Sequence, residues 1–178
     1  INKQDLKRVE KCIESGWLTH GPNTKKFEKI FCNFTKSKFS TTVSNCTSGL
    51  HLACIALGLK KGDEVIVPAQ THAATAHAAE LTGAKVVFAD VDPINGNILV
   101  CEIIKKINKK TKCIIIVHMT GYPCEMDKIV NICKKKNIKL IEDCAHAIGT
   151  KFKNKHAGTF GSCGVFSFYP TKQITTGE

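Results

Sequence analysis

Cys113-Ile114-Ile115-Ile116-Val117 is an unbroken apolar run, rich in β-branched residues and too short for a buried helix. It reads as a strand covered on both faces. Gly121-Tyr122-Pro123 follows as a turn signal, and residues 125–136 then place their apolar positions at helical spacing. A second run, Ile138-Lys139-Leu140-Ile141-Glu142, comes directly after. Two buried strands joined through one helix form a parallel pair, and this stretch therefore sets the fold class.

The alternation extends in both directions. Upstream, Thr41-Thr42-Val43-Ser44 reads as a short strand before a helix over 47–58. Glu64-Val65-Ile66-Val67 precedes a helix over 72–82, and Lys85-Val86-Val87-Phe88-Ala89 precedes one over 99–108. Lys61-Gly62-Asp63, Thr82-Gly83 and Asp92-Pro93 punctuate these units. Residues 3–15 and 24–36 are amphipathic helices, with Leu6, Val9 and Ile13 on one face and Phe27, Ile30, Phe31 and Phe34 on the other's. Between them lies a loop, Gly16-Trp17-Leu18-Thr19-His20-Gly21-Pro22, whose tryptophan is expected to plug a core or line a site. Downstream, 143–162 reads as a loop. Gly164-Val165-Phe166-Ser167-Phe168-Tyr169 is then a strand that stops at Pro170, because proline cannot continue a ladder. The predicted product is an α/β, three-layer α/β/α sandwich with a mostly parallel sheet and no internal domain boundary.

Composition narrows the function classes. The chain has 178 residues, 43% hydrophobic and 23% charged, which suits a soluble globular domain, and no apolar run is long enough to span a bilayer. Its net charge of +11 comes from scattered lysines, and Arg8 is the only arginine, so solvated faces are expected and not a nucleic-acid interface. The positive field still favours anionic small ligands. None of the ten cysteines forms Cys-x-x-Cys or recurs with histidine at zinc-site spacing. They are read as small buried residues in a reducing cytoplasm, with no metal site. The chain opens on Ile1 and closes in a loop-like Thr176-Gly177-Glu178, so it is expected to be part of a longer protein.

In a parallel sheet, ligands collect at the carboxyl ends of the strands. The polar residues placed there are Ser44 to Ser48, Gln70 to His72, His118, Asp143 to His146, and Lys172. Ser44-Asn45-Cys46-Thr47-Ser48-Gly49 joins strand to helix and would leave backbone N–H groups open at a positive helix end, a phosphate cradle or an ordinary cap. Asp143 at a buried strand end needs a partner, which could be a cap, a metal or a cationic ring nitrogen. His146 lies three residues on, and His72 starts a helix of small residues where a flat ring could stack on a ligand. Lys172, past an aromatic strand and part-covered by Phe166, Phe168 and Tyr169, is placed to lose its proton more readily than a surface lysine. A phosphate cradle, a stacking group, a carboxylate and an amine at one sheet edge are what pyridoxal phosphate requires.

The order of motifs resembles the DegT/DnrJ/EryC1/StrS family of pyridoxal-phosphate-dependent sugar aminotransferases. The resemblance runs through Gly16–Pro22, Ser44–Leu50, Gly62-Asp63-Glu64-Val65-Ile66-Val67-Pro68, Asp90-Val91-Asp92-Pro93, Glu142-Asp143-Cys144-Ala145-His146 and Ser167-Phe168-Tyr169-Pro170-Thr171-Lys172. It implies the large domain of a fold-type-I transferase over 1–178, truncated before a small C-terminal domain. It implies that Lys172 is the Schiff-base lysine and that Asp143 keeps the pyridine nitrogen protonated. His146 would contact the cofactor's 3-oxygen, His72 would stack on the ring, and Thr47, Ser48 and Ser167 would bind the phosphate. Substrates would be an amino-acid donor, L-glutamate, and a nucleotide-linked keto-sugar, in a cytoplasmic homodimer that binds neither nucleic acid nor membrane. Related sugar dehydratases carry histidine in place of the lysine, so Lys172 disfavours that alternative. Departures from the family pattern are Cys46 in place of glycine, Ser48-Gly49 in place of an alanine pair, and Met119-Thr120 in place of a Leu-aromatic pair. With Arg8 as sole candidate to clamp a donor carboxylate, the 178-residue chain alone is expected to be a non-catalytic piece.

Overall fold

The computed structural model describes residues 1–177. The chain folds as two compact units, residues 1–42 and those from Val43 onward. The join falls in an irregular stretch that contains neither glycine nor proline, so composition carries no sign of this boundary.

In the first unit, helix α1 (Lys3–Glu14) starts with a reciprocal cap: Asn2 Oδ1 accepts the Gln4 and Asp5 N–H groups, and the Asp5 carboxylate accepts the Asn2 N–H. Helix α2 (Pro22–Thr35) begins with proline at its first position and ends at a left-handed Lys36. Trp17 is 56% exposed and lies over Gly21, where a Cβ would come within 2.9 Å of the indole, so it covers a turn and plugs no core. The strand expected at 41–44 is absent. Glu28 accepts both the Thr42 N–H at 2.8 Å and its hydroxyl at 3.0 Å, and Ser40 donates to the Glu28 carbonyl. The backbone donor a ladder needs is thus bound to a helix side chain.

The second unit is built on five parallel strands, β1 (Glu64–Pro68), β2 (Lys85–Ala89), β3 (Thr111–Val117), β4 (Lys139–Cys144) and, later in the chain, β7 (Cys163–Phe166), in the order β2-β1-β3-β4-β7. Helices α3 (Cys46–Ala56) and α4 (Ala73–Glu80) cover one face; α5 (Val100–Lys106) and α6 (Met126–Lys136) cover the other. Strand alternation sorts the core accordingly. Val65, Val67, Cys113, Ile115 and Ile141 pack with Leu50, Cys54, Ala78 and Ala79, whereas Ile66, Ile114, Ile116 and Leu140 pack with Ile103, Met126, Ile129 and Cys133. The α/β/α expectation therefore holds for this unit. The order reverses at β1, whose neighbours are β2 on one side and β3 on the other, and such a reversal opens a crevice at the carboxyl edge.

Two boundaries differ from expectation. Strand β7 stops at Phe166, not at Tyr169, because its partner β4 ends at Cys144, directly opposite Phe166. Pro170 lies beyond, in a turn closed by the Lys172 N–H on the Tyr169 carbonyl at 2.9 Å. Residues 143–162 are not simply a loop: β5 (Lys151–Phe152) and β6 (Lys155–His156) form a hairpin. Its turn puts Lys153 and Asn154 at positive φ without any glycine, which hid it from the usual turn signals.

Helix α6 ends on Asn137, left-handed at φ 53°, whose N–H bonds back to the Cys133 and Lys134 carbonyls. Asparagine tolerates this conformation better than other side chains. Asn137→Ala should lower stability by about 1 kcal/mol in a denaturant titration, and Asn137→Gly should restore it. An unchanged midpoint for the alanine variant would show that the cap contributes nothing.

Candidate active site

Asn45 caps α3: its Oδ1 accepts the Ser48 N–H at 2.9 Å. The N–H groups of Cys46 and Thr47 fall in the first turn, where a helix offers no internal acceptor. The Ser44 and Ser48 hydroxyls lie 3.3 Å apart beside them. Gly49 lets this helix start approach β7, since a Cβ there would lie 2.7 Å from Val165 Cγ1. The result is a hydroxyl-rich, positive helix end at the sheet's carboxyl edge.

Asp143 sits near the end of β4 on the α3/α4 side of the sheet, 4% exposed. Its Oδ2 accepts from Thr75 Oγ1 at 2.8 Å and its Oδ1 from the Ala145 N–H at 3.1 Å. Thr75, fully buried in α4, is bonded in turn to Thr71 Oγ1 at 2.7 Å. Burial pushes the Asp143 carboxyl above its ordinary value, against the pull of Thr75, the Ala145 N–H, His146 and His118. Both oxygens of this carboxylate are thus held by hydrogen bonds.

Lys172 and His146 complete the cluster. Lys172 is half-buried, and its segment is tied to the β4 end by Gln173 Nε2, which donates to the His146 carbonyl at 2.9 Å. His146 is pushed below the ordinary histidine value by burial first, then by the Lys172 charge, with Asp143 opposing and His72 adding to the fall. Burial and the Asp143 carboxylate push the Cys46 thiol up to about 12, with the Lys172 charge opposing. Cys46, Asp143, His146 and Lys172 thus share one electrostatic neighbourhood, with His72 at its margin. His72 is exposed and caps α4, its Nδ1 accepting the Ala74 N–H at 3.2 Å. Ser167, half-buried, precedes Lys172 on the same segment, and its Oγ accepts the Tyr169 N–H at 3.4 Å. Thr47 is exposed and Ser48 half-buried in the first turn of α3.

Sequence reasoning missed Thr75, and it placed Thr71 at the sheet edge within Gln70 to His72 without giving it a role. Their spacing of one helical turn was visible, but the partner is 68 residues from Thr75. It also left Glu142 aside. Glu142, His118 and Cys144 form a buried group whose donor atoms lie within 4.8 Å of one another, a possible metal cluster by composition. Its chemistry argues otherwise, because Glu142 accepts four hydrogen bonds and burial holds the Cys144 thiol well above its ordinary value. A cavity of about 480 Å3 opens at the same sheet edge, lined by Gln70, Asn95, Met119, Thr120 and Tyr122 among others. None of the cluster residues lines it. Among the described residues, no helix is long and apolar enough to cross a membrane.

Comparison with known proteins matches this geometry to a family. The model of the DegT/DnrJ/EryC1/StrS aminotransferase family matches residues 1–178. GDP-perosamine synthase of Escherichia coli O157:H7 is 46% identical over 179 residues, covering 100% of this chain and 49% of that protein. The crystal structure of an aminotransferase from Psychrobacter cryohalolentis superposes with a TM-score of 0.97 at 36% identity, over 99% of this chain and 45% of that one. The E. coli GDP-4-keto-6-deoxy-D-mannose-3-dehydratase with bound hydrated PLP gives 0.95 at 33% identity, over 100% of this chain and 47% of that one. The chain spans about half the length of the curated relatives it matches.

Proposed function

Because the chain belongs to the DegT/DnrJ/EryC1/StrS aminotransferase family, we propose that the whole protein transfers an amino group from an amino acid, L-glutamate, to a nucleotide-linked keto-sugar, using pyridoxal phosphate. The observation that carries this reading is the buried Asp143 carboxylate, fixed by Thr75 and sharing its surroundings with Lys172. Burial disfavours its charge, and a cationic ring nitrogen is the partner that would reverse that cost. The residues fit the cofactor at its other ends too. The first turn of α3, with Thr47 and Ser48, and Ser167 beyond β7 offer N–H and hydroxyl donors for a phosphate.

When bound, pyridoxal phosphate supplies an electron sink for the carbon that exchanges the amino group. Asp143 would hold the proton on the ring nitrogen. Thr75 and Thr71 fix the carboxylate's direction. His146, pushed below the ordinary histidine value by burial first and then by the Lys172 charge, would contact the 3-oxygen, and His72 would stack on the ring. Lys172 would hold the cofactor at its aldehyde carbon, and once an incoming amine has displaced it, its freed amine would carry the proton between substrate and cofactor carbons. A lysine at this position can both give and take that proton, which favours transamination over dehydration. Residues 1–178 would form most of the large domain, with the donor's carboxylate clamp supplied by the remainder of a cytoplasmic homodimer.

The test is borohydride reduction of the whole protein with pyridoxal phosphate, followed by peptide mass mapping. The pyridoxyl label is expected on Lys172. A label on any other lysine, or none, would overturn the assignment.

A further inference from the structure

Glu142 is fully buried, next in the chain to Asp143 but on the opposite face of the sheet. Its four acceptor positions are all taken. Oε1 accepts the Phe160 and Gly161 N–H groups, each at 2.7 Å; Oε2 accepts the Gly158 N–H at 2.8 Å and His118 Nε2 at 3.1 Å. The Cys124 N–H donates to His118 Nδ1 at 3.2 Å, which places the ring proton on Nε2, facing Glu142. No buried side-chain polar atom among the described residues is left without a partner, so this carboxylate is fully compensated.

The loop it holds, 158–161, feeds directly into β7. Its fit is close: a Cβ on Gly161 would come within 2.5 Å of the Leu140 carbonyl oxygen, and Ser162 N–H donates to that oxygen at 2.7 Å. Beyond β7 lie Ser167 and Lys172. On the other side, His118 donates its backbone N–H to the Asp143 carbonyl at 3.2 Å. One carboxylate thus joins the end of β3, the strand carrying Asp143 and the lead-in to the segment carrying Lys172.

We propose that Glu142 is a positioning residue: its carboxylate clamps the 158–161 loop so that Ser167 and Lys172 stand in register with Asp143 across the cofactor site. The proposal rests on the cofactor reading above. The charge itself matters, because three convergent backbone N–H groups and one ring N–H have no other acceptor. A glutamine would turn two donors of its own toward two of these donors.

The experiment compares Glu142→Gln in the whole protein with a core control, Ile129→Ala or Ile129→Val, whichever matches its fall in Tm. Ile129 is fully buried in α6 and makes none of these contacts. Affinity for pyridoxal phosphate, followed by absorbance, is expected to fall at least about tenfold further in Glu142→Gln than in the matched control, with Glu142→Asp recovering part of it. Equal affinity in glutamine variant and control would overturn the proposal. If the unmodified protein takes up no pyridoxal phosphate, the cofactor reading has failed by itself. The clamp is then judged on hydrogen exchange of the Gly158, Phe160 and Gly161 amides. Faster exchange in Glu142→Gln than in the control supports it, and equal protection overturns it.

Discussion

Asp143→Asn in the whole protein is expected to cost about 4 kcal/mol of transition-state stabilisation, roughly a thousandfold in kcat, while leaving the cofactor-free fold more stable at neutral pH. The loss follows from charge. An amide cannot hold the ring nitrogen protonated, and the electron sink weakens. The gain in stability follows from burial. Desolvation raises the folded-state value above the ordinary 3.8, with the hydrogen bonds from Thr75 and Ala145 only partly opposing it. Between those two values the folded chain keeps a proton that the unfolded chain has released, so stability falls as pH rises through the window. Asparagine does not titrate there. Its advantage should grow as pH climbs from about 4 through the raised value and then level off.

The isostere also keeps its contacts. Its oxygen can accept the Ala145 N–H, and its NH2 can donate to Thr75 Oγ1 if that hydroxyl turns to donate to Thr71. Kinetics on the cofactor-loaded protein and denaturant titrations of the cofactor-free protein at several pH values would measure both effects. Near-normal turnover would reduce Asp143 to a structural role. A less stable variant at pH 7 would show that burial is not the dominant influence on this carboxylate.

Gly164→Ala is expected to destabilise the protein by about 3 kcal/mol or more, a large fraction of a typical domain's margin of about 5–15 kcal/mol. A Cβ at Gly164 would lie 2.3 Å from both Cα and O of Gly158 and 2.6 Å from its carbonyl carbon. These are backbone atoms and cannot rotate away. Gly158 cannot retreat easily, since its N–H is bonded to Glu142 and its own positive φ of 84° leaves the Phe166 ring where a Cβ would stand. Gly164 is equally fixed, paired with Glu142 across the β4–β7 ladder. Urea titration is the measurement, and a loss below about 1 kcal/mol would mean that the loop has room to shift. Any variant that still folds should also bind pyridoxal phosphate less well, because β7 delivers Ser167 and Lys172.

The sequence alone determined the layer architecture of the larger unit. Apolar runs such as Cys113–Val117 and helical spacing over 125–136 are local patterns, and a strand covered on both faces admits few arrangements other than a parallel sheet between helices. It also singled out Asp143, His146 and Lys172, not one by one, since each alone reads as an ordinary structural or solvated residue, but because parallel-sheet topology gathers a carboxylate, an imidazole and an amine at one sheet edge in the order of the family's motifs. Tertiary structure decided what depends on register between distant segments. The strand order, the stop of β7 at Phe166 where β4 ends, and the absence of a strand at Thr42 are of this kind. So are the Thr75–Asp143 bond, the four donors on Glu142 and the contact of Gly158 with Gly164. Each depends on atoms brought within about 3 Å by the packing of other elements, and no local propensity encodes a distance between residues that the chain itself keeps far apart.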